Sequence, residues 1–169
     1  MRYAITIACF LLSFSTLAQN TQSGVEFADY KRQVLLVKKD AMKATGKLNS
    51  GELIGAGCDQ GSCFFEIDYK ERKVRQNVGQ DITRLTIYEF DFSADGDLEL
   101  IAVNEFNETA YIFIFSYSKG IILKLFEKEI RSDKVIIKKD YIEYYLQGDL
   151  DSVWHYYQGN FWKMVPYEN

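Results

Sequence analysis

The chain has little of what most catalytic and nucleic-acid-binding sites require. Its 169 residues contain a single histidine, His155, and its 20 lysines and arginines are outnumbered by 24 aspartates and glutamates. One histidine cannot supply the histidine pair that many zinc sites use, and no Gly-x-Ser-x-Gly elbow marks a serine nucleophile. No basic patch alternates with aromatic residues, so nucleic acid is excluded as the expected partner.

Long hydrophobic runs are also missing, except at the start of the chain. The sequence opens with Met-Arg, residues 4–12 are apolar and uncharged, and residues 16–18 (Thr-Leu-Ala) are typical of a signal peptidase site. This pattern predicts a signal peptide over residues 1–18 and a secreted or periplasmic mature chain. A lipid anchor at Cys9 and a buried N-terminal strand are the alternative interpretations.

Residues 19–169 contain no linker and no low-complexity segment. They are numerous enough to bury a hydrophobic core, which predicts a single β-rich domain. No segment in them is long and apolar enough to span a bilayer. Removal of Arg2 with the signal peptide would change the formal net charge from −4 to −5.

Cysteine is scarce, with only Cys58 and Cys63 left in the predicted mature chain. An oxidising compartment favours a disulfide between them, and that disulfide would close a short turn around Gly61. The alternatives are free thiols or a metal site, for which two thiolates without a further Cys or His pair are a poor ligand set.

Aromatic and β-branched residues are abundant, and proline occurs once, as Pro166. Such residues favour strands, and short apolar runs separated by turn residues predict an all-β antiparallel meander. At most a short N-terminal helix is expected, with residues 24–31 and 40–45 as the candidates. The predicted strands cover residues 33–39, 52–57, 63–69, 82–92, 98–104, 109–117, 121–130, 134–139, 141–147, 152–157 and 160–165.

Residues 91–99 (Asp-Phe-Ser-Ala-Asp-Gly-Asp-Leu-Glu) are the most informative segment for chemistry. Calcium takes about six to eight oxygen ligands, and a loop can supply them from alternate residues where it turns sharply, as Gly96 permits. The predicted calcium ligands are the backbone carbonyl of Asp97 and the side chains of Asp91, Ser93, Asp95 and Glu99. An acidic hairpin turn without metal is the alternative interpretation.

The stretch from Phe90 to Ile101 resembles the strand–acidic loop–strand unit of FG-GAP/VCBS-type β-propeller repeats, and the local resemblance covers residues 82–117. In that family the loop binds calcium between two strands of a blade, so the resemblance implies the same ligands. Ser93 stands where an Asp or Asn is usual, and Glu99 stands where an Asp is usual. Only one such loop occurs, and residues 19–169 would form about three or four blades. The resemblance therefore implies either a partial propeller-like stack of β-sheets or an unrelated sheet with a similar loop.

The C-terminal part of the chain holds more aromatic residues than one core can receive. Strand alternation therefore predicts that some of them lie on a sheet surface, where Tyr and Trp are favoured at protein and glycan contacts. The residues in question are Tyr141, Tyr144, Tyr145, Trp154, Tyr156, Tyr157, Phe161 and Trp162.

Together these features favour an exported binding module that presents an aromatic and acidic sheet surface to a protein or glycan, with calcium as its predicted cofactor. One alternative is a periplasmic inhibitor or immunity-type protein that blocks an enzyme. A second is a small hydrolase, for which Glu66 with Asp68 and Glu89 with Asp91 are carboxylate pairs on shared strand faces. Neither pair lies in a recognisable catalytic motif, and no residue is assigned a catalytic role.

Overall fold

A computed structural model describes residues 24–39, 43–59, 61–80, 82–106, 109–131 and 134–166. The predicted signal peptide, residues 1–18, lies outside these ranges. Among the residues described, no helix has the length and apolar character needed to cross a membrane.

The described ranges form strands joined by turns and short loops, and they contain no helix. High β-propensity side chains and the turn residues between them account for this outcome. The strands are Val25–Phe27 (β1), Arg32–Lys38 (β2), Lys43–Lys47 (β3), Leu53–Asp59 (β4), Ser62–Tyr69 (β5), Arg72–Gln80 (β6), Arg84–Phe90 (β7), Glu99–Phe106 (β8), Thr109–Ser118 (β9), Ile121–Ile130 (β10), Lys134–Lys138 (β11), Tyr141–Leu146 (β12), Asp149–Tyr157 (β13) and Asn160–Met164 (β14).

Three sheets are each built around four consecutive antiparallel strands, which confirms the all-β meander. The first sheet has the order β3-β4-β5-β6, the second β10-β9-β8-β7-β2, and the third β1-β11-β12-β13-β14. Strand β2 adds to the second sheet in antiparallel orientation. Strand β1 adds to the third sheet parallel to β11.

The second sheet lies between the other two and is buried on both faces. Leu100 and Ala102 of β8 pack in the core shared with the first sheet. Ile101 and Val103 alternate with them and pack in the core shared with the third sheet. Seven of the eight residues of β8 are buried, as expected for a strand covered on both sides. The first and third sheets each keep one outer face.

The predicted short helix over residues 24–31 is wrong, because Val25 to Phe27 forms strand β1. Val25 pairs with Val135 of the third sheet and is buried there, so core packing outweighs the local preference. The second helix candidate, residues 40–45, is wrong where it is described, since residues 43–45 belong to β3. Residues 40–42 lie outside the described ranges.

The predicted disulfide between Cys58 and Cys63 is confirmed. The two cysteines face each other in the β4–β5 register, with Cα atoms 4.0 Å apart and sulfur atoms 2.12 Å apart. Gly61 in the intervening turn has a φ of 79°, which glycine adopts without steric cost. The disulfide therefore fastens one hairpin end of the first sheet.

Candidate functional site

The acidic loop, residues 91–99, connects β7 to the first residue of β8. Phe90 and Glu99 face each other in the β7–β8 register, so the loop leaves and re-enters the second sheet at neighbouring positions. The Glu99 carboxylate folds back under the loop. It accepts hydrogen bonds from the backbone N–H of Phe92 at 2.8 Å and of Ser93 at 3.2 Å, and from Ser93 Oγ at 2.8 Å.

Burial governs the charge of Glu99, whose side chain is only 5% exposed. Desolvation raises the pKa of this carboxyl above its usual range, although the bonds from Ser93 and the Phe92 N–H oppose the rise. A carboxylate that accepts two backbone N–H groups here acts as a structural cap for the loop. Its oxygens are thereby engaged by protein donors.

Asp91 links the acidic loop to the third sheet. Its Oδ2 forms an ion pair with Lys139 Nζ at 2.6 Å, and its Oδ1 accepts the Gly96 N–H at 3.1 Å. The hydrogen bond from Lys139 lowers the pKa of Asp91. The backbone N–H of Asp140 donates to the Phe92 carbonyl at 2.7 Å. The loop therefore docks on the β11–β12 turn through one ion pair and one backbone hydrogen bond.

The remaining predicted calcium ligands lie at the exposed tip of the loop. Asp95 Oδ1 accepts the Asp97 N–H at 2.9 Å, and both residues are exposed. Gly96 between them has a φ of 93°, so the sharp turn expected from the sequence is present. The structure thus brings Ser93 and Glu99 together, whereas Asp91 pairs with Lys139. Asp95 accepts the backbone N–H of Asp97.

Protein groups engage the oxygens of two of the predicted calcium ligands. An ammonium group already neutralises Asp91, and protein donors use the oxygens of Glu99. Within the described ranges, no group of three or more His, Cys, Asp or Glu side chains is placed to hold a metal. Calcium binding by residues 91–99 stays a prediction that a direct measurement must decide.

We expect calcium to leave the thermal unfolding midpoint unchanged, because Lys139 already supplies the cation at Asp91. The measurement is differential scanning calorimetry of the mature protein in millimolar calcium and in chelator. If calcium bound only the folded protein, a free concentration of 100 times its Kd would instead raise the free energy of unfolding by about 2.7 kcal/mol. The expectation would be contradicted if calcium raised the unfolding midpoint of the wild type by several degrees. In that case Asp91→Asn should lose the rise, and the control Asp68→Asn on the first sheet should keep it.

The aromatic face is the outer face of the third sheet at β12, β13 and β14. It consists of side chains that alternate with core residues and point away from the second sheet: Tyr141, Tyr145, Val153, His155, Tyr157, Trp162 and Met164. Tyr141, His155 and Trp162 stand side by side in the strand register. Trp162 is 60% exposed and Tyr157 is 58% exposed.

The other C-terminal aromatic residues pack inward, as strand alternation predicts. Phe161 lies 4.4 Å from the Phe126 ring of the second sheet, and Trp154 lies 5.7 Å from the same ring, both measured between ring centroids. Tyr144 and Tyr156 join them in the core between the second and third sheets. Tyr141, Tyr145, Tyr157 and Trp162 therefore remain available on the aromatic face.

Polar groups beside the aromatic face, on the same outer side of the third sheet, pair with one another. Lys138 Nζ lies 2.6 Å from Glu143 Oε1, and the Tyr145 hydroxyl donates to the second oxygen of Glu143 at 2.9 Å. The hydrogen bond to Glu143 raises the pKa of Lys138. His155 stands half-buried between aromatic neighbours, 6.3 Å from the rings of Tyr141 and of Tyr157.

The carboxylate pairs considered for hydrolysis are engaged by cations. Lys73 bridges Glu66 and Asp68 on the outer face of the first sheet. Glu89 is buried, pairs with Arg32 at 2.9 Å and accepts the Asn49 N–H at 2.8 Å. No observation on these carboxylates favours a hydrolase.

The chain matches no protein-family model, no curated protein and no solved structure. The resemblance of residues 82–117 to calcium-binding propeller repeats therefore rests on the acidic loop alone. Function has to be argued from the surfaces and clefts of the structure.

Sequence reasoning missed Lys139 as the partner of Asp91. The two residues are 48 positions apart, and their contact exists only because the third sheet stacks on the second. No local signal in the sequence indicates it, although the turn Lys139-Asp140 before β12 is visible as a polar break between apolar runs.

Proposed function

We propose that the chain is an exported binding module that docks a protein partner on the aromatic face. The observation that carries this proposal is the cross-strand row Tyr141, His155 and Trp162 on an outer sheet face that the described residues leave uncovered. Trp and Tyr are enriched among the hot spots of protein interfaces, because they offer a large rigid area at low entropy cost.

The composition around the row supports a protein partner over a glycan. Met164 is 49% exposed beside Trp162, and Val153 pairs with it across the strands. Apolar and aromatic anchors with few charges are typical of the core of a protein interface. The Lys138–Glu143 ion pair leaves little net charge, so we expect an affinity with weak salt dependence.

The outer face of the first sheet gives the contrast. It carries charged side chains in ion pairs, such as Lys73 with Glu66. Its half-buried Phe64 is covered by the guanidinium of Arg75, whose central carbon lies 3.2 Å from the ring centre. Such a solvated face offers no aromatic anchor comparable to Trp162. The two outer faces of the stack therefore differ in chemistry, and only that of the third sheet has the character of an interface.

Export is part of the proposal. It is supported by the predicted signal peptide over residues 1–18 and by the Cys58–Cys63 disulfide, since disulfides persist in oxidising compartments. A periplasmic inhibitor or immunity-type protein is one form of this function, in which the docked partner is an enzyme and binding suppresses its activity.

The test compares capture of partners by the mature protein and by its Tyr157→Ala/Trp162→Ala variant, using the extracellular and periplasmic fractions of the source organism. With the captured protein purified, we expect the variant to bind at least about 30-fold more weakly, which corresponds to a loss of about 2 kcal/mol. The matched controls are Tyr30→Ala, an aromatic side chain that is 87% exposed, and Leu53→Ala, which is 57% exposed on the first sheet.

Equal affinity of the wild type and the Tyr157→Ala/Trp162→Ala variant for the same partner would overturn the proposal. If the mature protein captured no protein but bound a glycan array, and this binding required Trp162, the partner would be a glycan and the proposal of a protein partner would be wrong. If the chain dimerised in a concentration-dependent way that required Trp162, the aromatic face would bind a second copy of the chain. That result would likewise overturn the proposal of a separate protein partner.

A further inference from the structure

A cleft of about 220 Å³ opens between the second and third sheets, on the side of the third sheet opposite to the aromatic face. It lies where strand β10, at the edge of the second sheet, meets β13 and the edge strand β14. The side chains that give it its chemistry are Lys128, Arg131, Tyr144, Asp151, Trp154 and Lys163.

Lys128 stands at a position that the strand pattern reserves for the core. It lies two residues from Phe126 and two from Ile130, on the same face of β10, and both of these neighbours are buried between the second and third sheets. Across the sheet it faces Ile112, which is fully buried. Its ammonium group lies 5.3 Å from the centre of the Trp154 ring. An exposed lysine therefore lies on the core-facing side of an edge strand, at a position where an apolar residue is expected.

Lys163, on β14 of the third sheet, also lies at a position that faces the core. It faces Trp154 in the β13–β14 register, and Trp154 packs against the core. Lys163 therefore lies on the side of β14 that faces the second sheet, with its side chain exposed, and both lysines line the same cleft. Among the described residues, neither ammonium group forms an ion pair, whereas Arg131 is neutralised by Glu129 at 2.6 Å.

The rest of the cleft is suited to an oxygen-rich anion. Tyr144 is 6% exposed, and its hydroxyl has no hydrogen-bond partner among the described residues. Asp151, a cleft carboxylate that forms no ion pair within the described part of the chain, accepts the Ser152 hydroxyl at 2.9 Å. Two lysines thus face one carboxylate, which leaves a local positive charge in a chain with a formal net charge of −4.

We propose that this cleft binds a small anion, the carboxylate, sulfate or phosphate group of a compact ligand, between Lys128 and Lys163. Ammonium groups form charge-assisted hydrogen bonds to such oxygens, and the Trp154 ring forms a flat apolar wall beside them. The competing explanation is that lysines on the core-facing side of edge strands only prevent edge-to-edge aggregation. The site is separate from the aromatic face and does not depend on the docking proposal.

The test is an NMR titration of the isotopically labelled mature protein with sulfate, phosphate, glucuronate and glucose at constant ionic strength. The readout is the indole N–H signal of Trp154, which the Trp162→Phe variant assigns because the chain has two tryptophans. We expect saturable shifts with one or more of the three anions and none with neutral glucose. A response to glucuronate alone would identify an acidic sugar, and a response to sulfate or phosphate would identify a free or esterified oxyanion.

Lys128→Met and Lys163→Met should each weaken the binding at least about tenfold, since each removes a charge-assisted bond. Lys43→Met, on the far edge of the first sheet, removes the same charge and should leave the affinity unchanged. Equal weakening by all three substitutions, or no saturable shift in the wild type, would overturn the proposal. Aggregation of the Lys163→Met variant without any anion effect in the wild type would establish the edge-protection explanation instead.

Discussion

Replacing Phe92 with alanine is expected to lower the free energy of unfolding by about 3–5 kcal/mol, the range for a buried aromatic residue. Phe92 is fully buried although it lies in the acidic loop, outside the strands. Its ring stacks on Phe161 of β14 at 5.6 Å between centroids and lies 5.8 Å from the ring of Tyr156. Truncation would open a cavity between the second and third sheets and release the loop from the core.

Equilibrium unfolding in urea, followed by tryptophan fluorescence, measures the effect. Leu98→Ala is the matched control, because Leu98 lies in the same loop but is 37% exposed, and we expect it to cost less than about 1 kcal/mol. If both variants lost the same small amount, Phe92 would not anchor the loop, and the stacking of the third sheet on the loop would be wrong.

The position of the acidic loop can be predicted from the sequence, but its attachment to the core through Phe92 cannot. Its position between two strands follows from the apolar runs on either side and from the Asp-Gly turn. Phe92, however, is a single aromatic residue among polar ones, and nothing local reveals that it enters a core. Its contacts, Tyr156 and Phe161, come from strands more than 60 positions later in the chain.

The same division between local and long-range information holds for the sheets. The meanders were predictable because each strand pairs with the next across a short turn, as Tyr141 does with His155. The additions of β1 and β2 were not, since Val25 pairs with Val135 and Arg32 with Glu89. Pairings between distant segments leave no periodic signal, and β1 is so short that its residues also suited a helical turn.

The residues of the aromatic face can be predicted only in part from the alternation of side chains along a strand. Period-two alternation separates Trp154 from His155 and Phe161 from Trp162, but it does not say which member of each pair faces the core. That choice depends on Phe126 of the second sheet, which receives Trp154 and Phe161. The core-facing placement of the lysines at positions 128 and 163 follows from the same stacking, and the sequence offered no reason to single them out.

Replacing Glu99 with alanine is expected to lower the free energy of unfolding by about 1–3 kcal/mol. The substitution removes an acceptor of the Phe92 and Ser93 backbone N–H groups. The Phe92 N–H keeps its 2.9 Å hydrogen bond to the Phe90 carbonyl, so the loss falls on the Ser93 N–H, and a donor left without a partner away from water costs about 1–3 kcal/mol. Glu99→Gln is the matched control. The amide oxygen of the glutamine can still accept the N–H groups, and its nitrogen can donate to Ser93 Oγ. We therefore expect the free energy of unfolding of Glu99→Gln to lie within about 1 kcal/mol of the wild-type value at neutral pH.

The pH dependence separates the charge of Glu99 from its hydrogen bonds. Burial raises the pKa of Glu99 above the ordinary 4.5, so the folded protein binds this proton more tightly than the unfolded chain does. The resulting stability is fully present below pH 4.5 and is lost as the pH rises through the folded pKa. Asp91 behaves oppositely, because its lowered pKa contributes stability above 3.8 that disappears as the pH falls through the folded value.

Urea unfolding of the wild type, Glu99→Gln and Glu99→Ala from pH 4 to pH 8 tests both parts. Relative to the wild type, Glu99→Gln should become more stable as the pH rises, because only the wild type must ionise a buried carboxyl. Glu99→Ala should be the least stable of the three throughout. If Glu99→Gln proved as destabilising as Glu99→Ala at neutral pH, the carboxylate charge itself would be needed, as a metal ligand would require. A calcium titration of the wild type would then show whether the acidic loop holds an ion after all.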